Sequence, residues 1–401
     1  MNKVPEQIDA ILEALESAGY EAYLVGGCVR DMFLDRQIRD WDIATDAHCK
    51  EVGQIFPKTL ATGIRYGTVT VFSGSARAEV TTFRSDGAYS DGRRPESVEF
   101  LSRLSEDLKR RDFTMNAMAI SRQGVFTDIF GGTEDIKKQL IRCVGEPEKR
   151  FSEDALRMLR ALRFSAELGF SIENKTLAAI KKLSASAQTL SAERICGECE
   201  KMLMSQRPQL FAEAVSLRLL DKYLVSAEPD KEVLSNISLL PGEKRQRWSA
   251  LTAALLRCGA VSDAQGFLRS LRLDSRTVSM SGAAAEIAAT SFPGSRKEIK
   301  RLFSRHGVPT SLMAAVSAKV LGDLSAEIRA AEVLESGESF SLKTLAVSGR
   351  DLKDLGILEG TEIGRLLGQL LEHVFEHPED NRRERLIEMA EIMQREHVPG
   401  S

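Results

Sequence analysis

Two aspartates one residue apart, Asp40 and Asp42, lie in the segment RDWDIAT. On a strand, residues i and i+2 share a face. The two carboxylates then stand side by side, while Trp41 and Ile43 turn the other way, into a core. Like charges so close repel, and a hard divalent cation relieves the repulsion. Mg²⁺ accepts one or two carboxylates plus phosphate oxygens, the arrangement that nucleotide transfer with two metals requires. On its own, D-x-D is equally a solvated strand end with two surface aspartates. Fourteen residues before Asp40, however, begins Gly26-Gly27-Cys28-Val29-Arg30-Asp31. Glycines let a backbone approach closely, and a helix start offers free N–H groups to a phosphate. Arg30, in the first turn, can fork onto phosphate oxygens. Strand, glycine pair, helix, arginine and then D-x-D is far more specific than either half. Glu79 in ARAEVTTF is a third carboxylate. Either an antiparallel neighbour brings it to the metals, or it is a surface strand residue.

A second group could read a base. RRDFTMNA puts Asp112 and Asn116 at i and i+4 on one helix face, with Arg111 beside them. Asn116 offers a donor and an acceptor, suited to sugar hydroxyls, and Arg111 can reach phosphate or base. On a helix over 152–166 stand Glu153, Asp154, Arg157, Arg160 and Arg163, the last four at steps of three. Asp154 and Arg157 then neighbour each other across one turn. An aspartate only accepts and an arginine only donates. Together they match an edge with an amino donor beside a ring-nitrogen acceptor. Cytosine and adenine present that edge; uracil and guanine present a carbonyl beside an N–H. Such a pair would take CTP and ATP and reject UTP and GTP. The plain alternative is an ion-paired, solvated helix face.

These residues need elements to hold them. Apolar spacing predicts a helix over 5–18, with Ile8, Ile11, Leu12 and Leu15 inward and Gly19 as its stop. Strands are expected at 21–27 and 41–45, and a hairpin at 67–72 and 76–83 across Ser73-Gly74-Ser75. Residues 84–97, with three arginines and almost nothing apolar, read as a mobile functional loop. Helices are expected over 103–119, a strand near 125–128 and a helix after Gly132. FSEDALRMLRALRFSAELGF reads as one amphipathic helix with the stripe Ala155, Met158, Leu159, Leu162 and Ala166. Beyond it, helix dominates. The fold class is α+β: a mixed head followed by an all-helical remainder.

Composition excludes some classes. The net charge of −3 does not announce a nucleic acid, so any such partner must meet a local basic face. Six scattered cysteines are not a secreted disulfide framework. Cys196 and Cys199 form a lone C-x-x-C, which is more often core packing than half a zinc site. No signal-peptide core and no long apolar run is seen, so neither a membrane span nor membrane association is expected, and the cytoplasm is the default. The basic cluster Arg296, Lys297, Lys300, Arg301 and Arg305 is a candidate phosphate patch or a solvated helix face.

Taken together, the motifs resemble the class II tRNA nucleotidyltransferases, the CCA-adding enzymes, and the related bacterial poly(A) polymerases. The matching stretches are LVGGCVRD (24–31), RDWDIATDA (39–47), AEVTTFRSDGAYSDGRRP (78–95), EDLKRRDFTMNAMA (106–119) and RFSEDALRMLRALRF (150–164). SAERICGECEK (191–201) is similar to the family's further neck helix, and 348–374 to the start of its tail. The resemblance implies a polymerase-β-like head at 1–145, a neck at 146–205, a body at 206–340 and a tail at 341–401. It implies metals on Asp40 and Asp42, and nucleotide contacts from Gly27, Arg30, Arg111, Asp154, Arg157, Arg160 and Arg163; Gly26, Asp112 and Asn116 join the expected nucleotide-binding set from the reading of the residues themselves. It implies template-independent addition of C, C and A to the 3′ end of tRNA, held by its acceptor stem, from CTP and ATP. The full-length 84–97 loop favours complete CCA addition over CC-only addition. An A-adding enzyme and a poly(A) polymerase stand as alternatives, the latter disfavoured by the absence of a basic tail. A homodimer is left open. A tRNA-binding protein without catalysis would need a broken D-x-D or a lost neck arginine, and neither is seen.

Overall fold

The computed structural model describes residues 4–86, 98–100, 103–225, 227–357 and 360–397. The chain divides into two compact units, Met1–Lys222 and Tyr223–Ser401.

In the first unit, α1 (Glu6–Ser17) buries Ile8, Ile11, Leu12 and Leu15, the stripe its spacing predicts. Then come β1 (Ala22–Val25), α2 (Gly27–Phe33), β2 (Trp41–Thr45) and α3 (Cys49–Ile55). β3 (Thr59–Gly63), β4 (Thr68–Ser73) and β5 (Ala76–Thr82) follow, the last two forming the expected hairpin. β6 (Arg84–Asp86) pairs antiparallel with β7 (Val98–Phe100). The loop expected over 84–97 therefore begins as a strand, and 87–97 lie outside the described residues. α4 (Leu104–Lys109), β8 (Ala119–Ser121), β9 (Phe126–Thr127) and α5 (Gly132–Lys137) complete the head. Among the described residues its sheet has seven strands, in the order β3-β4-β5-β2-β1-β8-β9.

Two expectations about these elements are corrected. Residues 103–119 are not helical throughout. The helix stops at Lys109, because Phe113 bridges to Cys143 and Thr114 N–H donates to Arg142 O. Only a 3₁₀ turn, Thr114–Asn116, remains before β8. The strand carrying Asp42 is also a parallel, not an antiparallel, neighbour of β5. α3, β3 and β4 intervene between β2 and β5, a connection long enough for a parallel pair.

β10 (Leu140–Ile141) leads into α6 (Pro147–Glu153) and α7 (Leu156–Leu168), then β11 (Ser171–Ile172). The single helix expected here is broken at Asp154, whose backbone is extended (φ −147°, ψ 103°). Its carboxylate accepts from Leu156 N–H at 3.0 Å, an Asx-type turn that leads into α7 instead of continuing α6. The stripe from Ala155 to Ala166 is nonetheless buried, and Gly169, at φ +78°, ends α7. α8 (Asn174–Leu183), α9 (Ala192–Leu203) and α10 (Leu210–Ser216) close the unit. Cys199 is buried in α9 and burial pushes its thiol up, as core packing requires.

The second unit is helical: α11 (Lys231–Asn236), α12 (Lys244–Arg257), α13 (Ala264–Ser270), α14 (Ser275–Thr290), α15 (Arg296–His306), α16 (Val308–Val320), α17 (Ala326–Glu335), α18 (Gly349–Asp354), α19 (Gly360–Glu376) and α20 (Arg383–His397). Leu352, Leu366, Leu370, Val374 and Leu386 form the core of its last helices. The basic cluster on α15 is a largely ion-paired face, exposed at Arg296 and Arg305. Lys297 pairs with Glu376 and Arg301 with Glu372 on α19, while Arg296 and the buried Lys300 both meet Glu338. Most of its charge is matched by carboxylates of the same unit.

Gly132 shows how tightly the head holds its 3₁₀ turn. A Cβ there would lie 2.3 Å from Thr114 O and 2.9 Å from the Met118 side chain. Gly132→Ala should cost about 3 kcal/mol, read as a lower urea midpoint at unchanged slope; a parental midpoint would refute this packing.

Candidate active site

β1 ends at Val25, and Gly26 turns the chain at φ +73°, ψ −130°, a conformation that only glycine adopts without strain. A Cβ at Gly26 would lie 2.8 Å from Arg111 Nη1. The missing side chain is thus what lets the Arg111 guanidinium cross the turn towards Asp42. Gly27 then begins α2, which buries Arg30.

Asp42 lies in β2 and Asp40 just before it. Asp40 is exposed and accepts from Arg77 at 3.1 Å. Asp42 is half-buried, in register with Glu79 on β5. Burial pushes the Asp42 carboxyl up to about 6; the Arg111 charge opposes this, while Glu79 and Asp40 add to it. Ile43 faces the core as expected, whereas Trp41 is only half-buried.

Asp112 is the buried hub behind them. Its Oδ1 accepts from Phe113 N–H at 2.8 Å and Asn116 Nδ2 at 3.1 Å; its Oδ2 accepts from Arg160 Nε at 2.8 Å. Asp112 and Asn116 therefore do meet, although no helix joins them. The Asn116 carbonyl in turn accepts from Arg30 Nη1 at 2.8 Å, and Asp31 takes Arg30 Nε and Nη2 at 2.9 Å. Burial alone would raise the Asp112 carboxyl, but the Arg160 charge and the bonds from Asn116 and Arg160 outweigh it and hold it well below the usual carboxylate range.

Asp154 and Arg157 both line the cleft but do not bond to each other. Because the helix breaks at Asp154, its Oδ2 accepts from Arg194 of α9 at 2.7 Å. Arg157 donates to Glu153 at 2.9 Å and to the carbonyls of Arg150 and Arg110. Arg163 donates to the buried Glu198 at 2.9 Å and to Glu167 at 2.8 Å.

All of these sequence-predicted residues but Glu79 line one cleft of about 1120 Å³ in the first unit: Gly26, Gly27, Arg30, Asp40, Asp42, Arg111, Asp112, Asn116, Asp154, Arg157, Arg160 and Arg163. Glu79 is exposed beside it. Cationic side chains outnumber carboxylates along the cleft, which suits a polyanionic ligand such as a triphosphate. Sequence reasoning missed Phe164 and Arg194 of the lining, together with Asp107, which holds Arg110 and Arg111 from below at 2.8 and 3.1 Å. An aspartate three and four residues before two arginines was the available signal for Asp107. Nothing local points to Arg194.

A carboxylate with a depressed pKa stabilises the fold above its unfolded pKa, and that contribution is lost as pH falls through the folded value. Asp112→Asn should therefore cost about 3 kcal/mol at pH 7. The gap to the parent should narrow as pH falls below about 4, checked by urea melts across pH. A gap that stays constant down to acid pH would show that the Asp112 charge does not hold Arg160.

Residues 22–142 match the family described as the poly(A) polymerase head domain, and 169–227 the one described as a probable RNA- and SrmB-binding site of polymerase A. A CCA-adding enzyme of Lactobacillus delbrueckii subsp. bulgaricus is 37% identical over 398 residues, 98% of this chain and 99% of its own. That of Geobacillus kaustophilus is 38% identical over 399 residues, 95% of each chain. Among solved structures, the Bacillus stearothermophilus CCA-adding enzyme in complex with CTP aligns with a TM-score of 0.79 at 32% identity, covering 98% of both chains. A cleft built from two aspartates, a glycine turn and the arginines of α7 thus sits in a chain whose similarity runs nearly end to end, and the chain belongs to the CCA-adding enzymes.

Proposed function

We propose that this single cleft performs the family's reaction, adding C, C and A to the tRNA 3′ end from CTP and ATP without a nucleic-acid template. The observation that carries the assignment of roles is the convergence of the two aspartates, the glycine turn and the neck residues on one cavity. In the reaction, the terminal 3′-hydroxyl attacks the α-phosphorus. A new O–P bond forms, the bond to the β-phosphate breaks, and pyrophosphate leaves.

The donor set at Asp40 and Asp42 fits Mg²⁺: all oxygen, with a half-buried carboxylate whose charge is opposed by burial and by like-charged neighbours. Two protein carboxylates suffice, because Mg²⁺ takes its remaining ligands from phosphate and water. Among the described residues no larger His, Cys, Asp or Glu cluster competes for that role. Asp40 and Asp42 are the residues that would hold the ion, with Glu79 as a candidate third. Bound there, the cation would lower the pKa of the 3′-hydroxyl and offset charge on the departing pyrophosphate.

The chain's own groups do the rest. Gly26 and Gly27 let the triphosphate approach the backbone. Arg30, Arg111, Arg160 and Arg163 match its charge, and Asp112 and Asn116 hold two of those arginines in place. Asp154 and Arg157 read the base. Each keeps capacity for it: a carboxylate accepts about four bonds and a guanidinium donates about five, more than the partners described here use. An amino group beside a ring nitrogen meets both needs; a carbonyl beside an N–H meets neither.

The head at 1–145, neck at 146–205, body at 206–340 and tail at 341–401 remain our reading of the chain's division, with the body and tail as the tRNA-holding part. We place the enzyme in the cytoplasm beside its substrate. No helix of the described residues is long and apolar enough to cross a membrane.

Purified protein with Mg²⁺ should be given tRNA transcripts ending before CCA, after C and after CC, with CTP, ATP or both. Growth to CCA followed by arrest is expected. Addition of A to the CC-ending transcript alone would make this an A-adding enzyme, and long A tails a poly(A) polymerase. Asp42→Ala should abolish incorporation while tRNA affinity in a gel shift stays within about twofold; near-parental CTP incorporation would sink the metal assignment. Asp154→Ala should cost about 10-fold or more in preference for CTP over UTP, since mispaired buried polar groups are what reject the wrong base. Unchanged preference in competition assays would remove Asp154 from base reading.

A further inference from the structure

We propose that the Phe164 ring is a positioning platform for three of the cleft's arginines, setting how strongly both nucleotides bind. The inference rests on the reading that Arg30, Arg160 and Arg163 meet the nucleotide, and extends it to a residue that touches neither phosphate nor base in that scheme.

Phe164 lies on α7, is 3% exposed and lines the cleft. The guanidinium carbon of Arg163 stands over its ring at 3.5 Å from the centroid, that of Arg30 at 5.1 Å and that of Arg160 at 5.4 Å. All three fall within the distance at which a ring's negative face attracts a cation. Two of the arginines come from the ring's own helix, and the third comes from α2 on the far side of the cleft wall. Phe113 packs edge-on against the same ring, at 5.8 Å and 86°, and fixes its plane.

A guanidinium donates only within its own plane. In-plane donors of these three are taken by carboxylates and an amide: Asp31 and Asn116 for Arg30, Asp112 for Arg160, Glu198 and Glu167 for Arg163. Those hydrogen bonds fix each guanidinium to its own acceptors, and the ring adds a common attraction for three cations that repel one another. An aliphatic side chain of similar bulk would fill the space without attracting any of them. Held this way, the arginines are aimed before a triphosphate arrives, and binding does not have to order them.

The test keeps the shape of the ring and drains its face. Phe164 is replaced by phenylalanines carrying one, two, three and five ring fluorines, and KM and kcat are measured for CTP and ATP on the matching tRNA transcripts. Log KM for both nucleotides should climb along the series, reaching about tenfold at five fluorines. kcat should stay within about twofold, because catalysis proper uses other groups. A ring that only packs would leave KM flat across the series, and that result would overturn the platform. Arg160→Ala is measured in parallel. A raised KM there with a flat fluorine series removes the ring's role alone; an unchanged KM in Arg160→Ala overturns the site reading beneath it.

Discussion

The carboxylate of Asp112 accepts from its own following backbone, from Asn116 and from Arg160. A buried carboxylate without such donors would be costly, and one with them costs most when a donor is withdrawn. Through Asn116 the same set reaches Arg30 behind the glycine turn, and through Arg160 it reaches Glu198 on α9. The segment before the 3₁₀ turn, the turn itself, α2, α7 and α9 thus share one polar network. The geometry of the cleft follows from satisfying that network, since each member is placed by the others.

Concentrating arginines in a cavity raises an electrostatic problem in the absence of ligand. Here it is solved locally. Asp107 takes Arg110 and Arg111, Glu153 takes Arg157, Asp154 takes Arg194, and Glu198 takes Arg163. Each pair neutralises charge while leaving donors over, because a guanidinium has more N–H groups than one carboxylate engages. The cleft can therefore stay folded when empty and remain attractive to a polyanion. Asp42 shows the opposite imbalance. Burial and neighbouring carboxylates disfavour its charge, while Arg111 and Arg30 oppose them. A site short of positive charge at that one point, inside a cleft rich in it elsewhere, is where a small cation fits.

The placement of the cleft residues was legible where it is local: D-x-D at the start of a strand and the glycine pair before a helix are read within a few residues, and both line the cleft. The α1 and α7 stripes follow from side-chain periodicity alone, and the hairpin from its turn. What failed depended on partners distant in sequence. Periodicity runs straight through Asp154, so a single helix was expected, yet Asp154 accepts from Leu156 N–H and from Arg194, forty residues on. An aspartate's preference for caps over helix interiors was the signal that could have placed the break. Residues 110–113 leave the helix because Phe113 bridges to Cys143, another long-range contact. The direction of β5 relative to β2 is likewise a property of the sheet order and not of either strand.

The basic run on α15 shows the same lesson from the side of charge. Five cations within ten residues read as a surface for phosphates or for water. In the structure Lys300 is buried against Glu338 and the Phe375 carbonyl, and Lys297 and Arg301 face the acidic side of α19. Composition counts charges without pairing them. In the cleft, too, the arginines have partners. What distinguishes the two places is that the cleft surrounds open volume, which its arginines line. On α15 the matching carboxylates lie on α19 and at Glu338 beyond the end of α17, and the same residue types pair within that unit.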